Sequence, residues 1–336
     1  MRTRWAVLLL FVLGCATASA QPLRTLHGET MGTRWTVKFS APVVLADGSV
    51  QRAIQTALDR VDGAMSTYKP DSALSRFNRA PAASWQTLPA DLFTVLQRAL
   101  VLAKESAGAY DPTVGPLVDL WGFGPERHAH QPPTQAAIDA ARRRVGWWQI
   151  RLDPATRRAF QPGGVRVDLS SIAKGFGVDQ VARALATLGI HDYLIEVGGE
   201  LRAAGSKPDG GAWRVAIERP SIAAGDAGPA RSLALRNRAI ATSGDYRRFF
   251  MDGDVVYSHH IDPRTGWPVP YQIASVSVVA PSTIEADPIG TLISVLGPDA
   301  GMAYATRHHL AVHIYVHDGQ RLDERMSPAF ADLLSP

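Results

Sequence analysis

Polar and apolar residues alternate from Thr33 to Phe39, with Trp35, Val37 and Phe39 on one side, the period-two pattern of a half-buried strand. Ile54, Ala57, Leu58, Val61 and Met65 then recur at helical spacing. A second helix is predicted from about Asp91 to Ser106, with Leu92, Phe93, Leu96 and Leu100 turned inward. Thr134 suits a helix N-cap and Gly146 a helix end, which predicts a third helix between them. Val178, Val181, Leu185 and Leu188 mark a fourth, stopped by Gly189. Strands dominate afterwards: Tyr193 to Val197, Trp213 to Glu218, Ala239 to Thr242, Val255 to Ile261 and Ala274 to Val279. A helix from about Thr283 to Leu296 and a strand from Ala311 to Val316 complete the pattern.

Helices and strands are mixed, and the strands come in runs. This predicts an α+β fold rather than a regular βαβ array. Ala223 to Pro229 and Pro125 to Pro133 read as surface loops, so no long linker divides the chain. The length of 336 residues, with 46% hydrophobic and 20% charged, is that of a globular protein. The net charge is +4, with Arg2 and Arg4 contributing part of it, so the rest of the chain is too weakly basic to imply nucleic acid. Arg142-Arg143-Arg144 reads as a solvated helix face.

The N-terminus reads as a targeting segment. Arg2 and Arg4 precede an apolar run from Ala6 to Val12, and Ala18-Ser19-Ala20 is a small-x-small cleavage pattern. Residues 1–20 are therefore expected to be a signal peptide, leaving an exported, periplasmic protein. The run is too short for a permanent membrane span. The single cysteine, Cys15, lies inside it, and cleavage after Ala20 would leave no cysteine to form a disulfide. Val12-Leu13-Gly14-Cys15 also resembles a lipoprotein signal, in which Cys15 would carry a lipid anchor in the inner membrane. Both readings stay open.

Several familiar motifs fail. Gly122-Phe123-Gly124 and Gly175-Phe176-Gly177 each begin a dinucleotide fingerprint, but Arg127 and Gln180 stand where the third glycine belongs. Ser171-Ile172-Ala173-Lys174 matches the Ser-x-x-Lys of penicillin-binding proteins, and Arg264-Thr265-Gly266 resembles their Lys-Thr-Gly, yet no Ser-Asp-Asn accompanies them.

A longer series of motifs runs in order through the chain. Met31-Gly32-Thr33 is followed by Met65 to Ser72 and Ser75-Arg76-Phe77-Asn78. Gly108 to Leu117 precedes Trp121-Gly122-Phe123-Gly124. Asp168 to Gly175 opens a helix, and Gly198-Gly199-Glu200 follows a strand. Thr242 to Tyr246 precedes His259-His260-Ile261-Asp262-Pro263-Arg264-Thr265-Gly266, and Ala286-Asp287 precedes Thr291. Together these resemble the FAD:protein FMN transferase family, the ApbE family, from Met31 to about Leu296.

The resemblance implies a single domain over residues 24–336, with mixed helices and mainly antiparallel sheet. It implies FAD contacts at Met31, Tyr68, Ala109, Tyr110, Asp111, Asp168, Lys174 and Ile261. Magnesium is implied at Ser171, Asp287 and Thr291, and a proton acceptor at His259. The residue types are compatible. Tyr68, Trp121 and Phe123 could stack on a flat ring, although core packing is the simpler reading for Trp121 and Phe123. Asp168 suits a helix N-cap equally well. Lys174 is a point charge for a phosphate, or a solvated helix lysine. Asp287 and Thr291 share a helix face and are hard oxygen ligands; otherwise they are a capping Asp and a back-bonded Thr. Some members carry a second carboxylate just before the threonine, where this chain has Gly290. Pro288 implies either that the helix starts at Asp287 or that it kinks.

In the family's His-x-x-Asp-Pro-x-Thr-Gly, counting back from Asp262 selects His259 as base, and a strand through Ile261 would turn His260 to the other face. His313 and His317 would share a strand face but sit too far apart for one ion. The implied reaction is attack by a threonine or serine hydroxyl of an acceptor flavoprotein on FAD, with release of AMP. The acceptor would belong to a membrane or periplasmic electron-transfer system. An FAD pyrophosphatase and a non-catalytic periplasmic flavin-binding protein are the alternatives.

Overall fold

The computed structural model describes residues 22–41, 45–125, 131–220, 231–244, 249–319 and 321–334. Residues 1–20 with Cys15, expected to be a signal peptide, the Asp245-Tyr246 pair, residues 223–229 and residues 126–130 lie outside the described residues.

The chain opens on a hairpin, β1 (Leu23–Thr30) and β2 (Thr33–Ser40), followed by helix α1 (Asp47–Met65). Helix α2 (Ala73–Asn78), strand β3 (Ser84–Thr87) and helix α3 (Ala90–Glu105) come next, then α4 (Gly115–Leu120) and α5 (Gln135–Arg142). Strands β4 (Arg151–Asp153) and β5 (Arg158–Gln161) join β3 in a small sheet. Helix α6 (Ala173–Thr187) leads into the hairpin of β6 (Asp192–Val197) and β7 (Glu200–Ala204). Strands β8 (Trp213–Ile217) and β9 (Arg231–Leu235) pair, β10 (Arg238–Gly244) follows, and β11 (Phe249–Asp252) pairs with β12 (Val255–Ser258). Strand β13 (Ile273–Ala280), helices α7 (Thr283–Leu296) and α8 (Pro298–Arg307), strands β14 (Ala311–Asp318) and β15 (Arg321–Met326), and helix α9 (Pro328–Ala331) finish the chain.

The main sheet has eight strands in the order β1-β2-β6-β7-β10-β13-β14-β15, every pair antiparallel. Side-chain alternation gives it two faces. On one, Trp35, Val37, Phe39, Ile195 and Val197 pack against Ile54 and Leu58 of α1 and Val178, Val181 and Leu185 of α6. Ala241, Val276 and Val278 continue this face under Leu292 and Ile293 of α7. On the other, Ala203, Ile240 and Val279 meet Trp213 and Leu233 of the β8–β9 hairpin and Phe330 of α9. The α+β architecture expected from the pattern is what the chain adopts.

Besides elements that the pattern does not mark, among them α2, α4, α8 and β3 to β5, four departures stand out. Strand β1 has no run of apolar alternation; it lies at the sheet edge, and all of it except Thr30 is exposed or half-buried. Thr134 does cap α5, its Oγ1 accepting from the Ala137 N–H at 3.3 Å, but the helix ends at Arg142, well before Gly146. The strand expected to reach Ile261 ends at Ser258. Helix α7 begins at Thr283 and runs on through Pro288, so it does not start at Asp287. Proline removes the ladder bond to the Ile284 carbonyl. Burial of Ala286, Ile289, Leu292 and Ile293 supplies the packing that keeps the helix continuous. Among the described residues no helix is long and apolar enough to cross a membrane.

Candidate active site

A cavity of about 890 Å³ opens where the helices meet the loop ends of the sheet. Its walls come from the β1–β2 turn, the segment after α1, the turn before α4, the N-terminus of α6, the β6–β7 turn, the end of β10, the loop after β12 and α7. Every residue singled out above for flavin, metal or proton transfer lines it, from Met31 to Thr291.

Met31 and Gly32 form the two-residue turn between β1 and β2, with φ of 45° and 70°. A non-glycine residue in this left-handed region is strained, and here the strain points the loop at the cavity. Tyr68 stands at the rim of the cavity with 58% of its surface exposed. Tyr110 is buried, and its hydroxyl lies 3.1 Å from Ser171 Oγ. Burial raises its pKa, so the phenol keeps its proton.

Asp111 lines the cavity, but its carboxylate is committed to the protein. Oδ1 accepts from the Thr113 N–H at 2.8 Å and the Thr113 hydroxyl at 2.6 Å, and Oδ2 accepts from the Trp147 N–H at 3.0 Å. Burial pushes its pKa up, against these bonds. Asp168 is not the cap of α6, which begins at Ala173; its Oδ1 accepts from the Ser170 N–H at 2.7 Å and shapes the loop carrying Ser171.

The floor of the cavity holds a cluster of charges. Lys174 Nζ donates to Glu200 Oε1 at 2.5 Å. Asp287 is 3% exposed, and its Oδ2 accepts from the Gly175 N–H at 2.8 Å. That bond needs α6 and α7 to touch. A Cβ on Gly175 would lie 2.5 Å from the Thr283 carbonyl oxygen, so only glycine fits. Burial pushes Asp287 up to about 6, with the Lys174 charge opposing. Burial, and then the charge of Asp287, push Glu200 upward, with Lys174 again opposing. Two buried carboxyls thus lie near one ammonium, and a cation beside them would favour their ionised forms.

The metal implied by the resemblance fits this donor set. One carboxylate, Asp287, and the hydroxyls of Ser171 and Thr291 line the same cavity, and all are hard oxygens. Among the described residues no three His, Cys, Asp or Glu side chains cluster as a metal cage. So few protein ligands suit magnesium, which keeps waters and takes substrate phosphate oxygens. A Cβ at position 290 would lie 2.4 Å from Ser243 Oγ, so a side chain there would require Ser243 to shift.

The histidines differ from the expected alternation. Because β12 stops at Ser258, both His259 and His260 line the cavity, their rings 4.1 Å apart. His260 is buried and His259 half-buried. Trp121 is fully buried, and its indole N–H donates to the Gly266 carbonyl at 2.9 Å, bracing the loop that follows the histidines. Phe123 is buried too, yet it lines the cavity, 6.3 Å from the His259 ring. His313 is buried within the sheet with its Nε2 2.6 Å from Glu324. The residue that the sequence reading passed over is Glu200, quoted with its glycines but given no role. Its signal was a carboxylate directly after a Gly-Gly turn.

Comparison with known proteins agrees with this geometry. The sequence profile of the ApbE family matches residues 31–315. A Haemophilus influenzae protein named FAD:protein FMN transferase is 40% identical, over 92% of this chain and 91% of its own. A Vibrio cholerae protein of the same name is 39% identical over 97% of each chain. The crystal structure of Pseudomonas stutzeri flavinyl transferase ApbE in its apo form superposes with a TM-score of 0.86 at 36% identity, covering 93% of this chain and 97% of that one. The chain belongs to the ApbE family.

Proposed function

We propose that this protein is an FAD:protein FMN transferase that moves the FMN half of FAD onto a threonine or serine hydroxyl of an acceptor flavoprotein. The observation that carries the reading is that the motif residues, spread from Met31 to Thr291, converge on one cavity of about 890 Å³, a size suited to a dinucleotide. Met31 and Tyr68 would hold the flavin end, with Ala109, Tyr110, Asp111, Asp168 and Ile261 forming the remaining wall. Lys174 offers positive charge to the phosphates. Magnesium, held by Asp287 with the hydroxyls of Ser171 and Thr291, would neutralise charge developing on the pyrophosphate.

His259 accepts the proton of the incoming hydroxyl as its oxygen bonds to the FMN-side phosphorus and the pyrophosphate bond breaks. AMP carries away the bridging oxygen. The buried Tyr110 phenol, kept protonated, hydrogen-bonds with Ser171 and fixes that hydroxyl.

The acceptor is a flavoprotein of a membrane or periplasmic electron-transfer system. Residues 1–20 act as the export signal, with a lipid on Cys15 as the alternative outcome, and the transferase domain spans 24–336. Both suggestions rest on the sequence pattern alone.

The test is to incubate mature protein with FAD, magnesium and a candidate acceptor, then weigh the acceptor by mass spectrometry. An acceptor heavier by one FMN less water supports transfer. AMP and free FMN without an adduct mean hydrolysis, and bound FAD without turnover means a flavin-binding protein.

A further inference from the structure

Glu200 is 2% exposed, yet it lines the cavity. It is the first residue of β7, directly after the Gly198-Gly199 turn. The turn is forced: both glycines have positive φ, and a Cβ on Gly198 would lie 2.8 Å from Thr33. The Gly199 N–H donates to Glu196 at 2.9 Å, and the Gly198 N–H to the Arg34 carbonyl at 3.1 Å. The hairpin end is therefore tied to β2 and delivers one side chain to the cavity floor. That side chain is a carboxylate, which a protein rarely buries without purpose. One oxygen, Oε1, takes the Lys174 ammonium at 2.5 Å. The other, Oε2, is buried without a hydrogen-bond partner among the described residues.

Lys174 sits in the first turn of α6, next to Gly175, whose N–H holds Asp287. Without Glu200, the ammonium would have Asp287 as its remaining buried carboxylate, and the two would pair. We propose that Glu200 is a positioning residue: it holds the Lys174 ammonium toward the substrate phosphates and away from Asp287. This rests on the transferase reading, in which Lys174 meets a phosphate and Asp287 a metal. Simple charge counting makes the opposite prediction, since removing a carboxylate from beside a phosphate site should tighten anion binding.

The experiment measures dissociation constants for FAD and for riboflavin, which has no phosphate, by quenching of flavin fluorescence without metal. Wild type, Glu200→Gln, Lys174→Ala and the double variant are compared, with thermal melts to confirm folding. Glu200→Gln should weaken FAD about tenfold, the loss of one well-placed charge-assisted contact, and leave riboflavin unchanged. In the double variant the FAD loss should equal that of Lys174→Ala alone, because the carboxylate acts through the ammonium. Unchanged or tighter FAD binding, equal loss for riboflavin, or additive losses would each overturn the proposal. If Glu200→Gln does not fold, Glu200→Asp, which keeps the charge but shortens its reach, is measured in its place. It should still weaken FAD more than riboflavin, and equal effects on both overturn the idea. Wild type that binds no FAD would instead remove the transferase reading itself.

Discussion

Replacing Gly175 by alanine drives a methyl group into the crossing of α6 and α7. The new Cβ would lie 2.5 Å from the Thr283 carbonyl oxygen and 2.8 Å from the Asp287 Cβ. The nearer atom is backbone and cannot swing aside. Reaching ordinary contact at 3.4 Å moves the helices apart by about 0.9 Å. The first consequence is overpacking, which costs about 1–3 kcal/mol of stability. The second is chemical, because α7 carries Asp287 and Thr291, and the Gly175 N–H that fixes Asp287 moves with the other helix. A misplacement of about 1 Å at a reacting centre costs on the order of 100-fold in rate. Gly175→Ala should therefore melt earlier, transfer flavin on the order of 100-fold more slowly at saturating FAD, and need more magnesium for half its maximal rate. The control is Gly63→Ala on the exposed side of α1, where an added Cβ meets nothing within 4 Å. It should keep full activity and gain about 0.5 kcal/mol. A Gly175→Ala protein with wild-type rate at every magnesium concentration would refute the argument that this contact sets the site.

Three other outcomes are expected. His259→Ala should bind FAD nearly as wild type but transfer about 10²–10⁴-fold more slowly, while buried His260→Ala should mainly lower the melting temperature; normal transfer by both would leave attack to positioning alone. Asp287→Ala should damage activity more than Thr291→Ala, since it removes the charged ligand, and chelator should abolish turnover of wild type; full activity in excess chelator would rule out that role. The Arg231 hydrogen bond, with His313 beside it, holds Glu324 down to about 2 from its usual 4.5, so its contribution to stability is present above the unfolded pKa and lost as pH falls through about 2. Melting temperatures taken from pH 5 down to 3 should fall more steeply for wild type than for Glu324→Gln, and equal slopes would contradict the shift.

The long helices α1, α3 and α6 were readable because each carries an apolar stripe, whereas α2, α4, α8 and α9 were not read. Ile54 and Leu58 of α1, and Val178, Val181 and Leu185 of α6, are buried together as their spacing requires. Strand β1 was not readable, because its polar edge carries no alternation to detect. The order of motifs located the cavity walls, since most of them sit at turns or helix ends that reach the cavity, and Asp287 and Thr291 line it from within α7. What spacing could not supply was contact across the chain. Lys174 and Glu200 are joined only because the β6–β7 hairpin returns beside α6. The two histidines were assigned opposite faces by strand geometry, but the strand stops before them. The helix start expected at Asp287 failed because local propensity was outweighed by burial of the helix around Pro288.

A cavity bounded by Met31 near one end of the sequence and Thr291 near the other exists only when the chain is folded from end to end. No fragment that ends before α7 contains it, so partial digestion or truncation should abolish flavin affinity rather than reduce it. A ligand spanning these walls binds the folded chain alone and stabilises it by mass action. Bound FAD would then act as a clasp between the first hairpin and the last wall of the site. Resistance to proteolysis, rising with flavin concentration, would give a direct readout of completed folding in whatever compartment the protein matures.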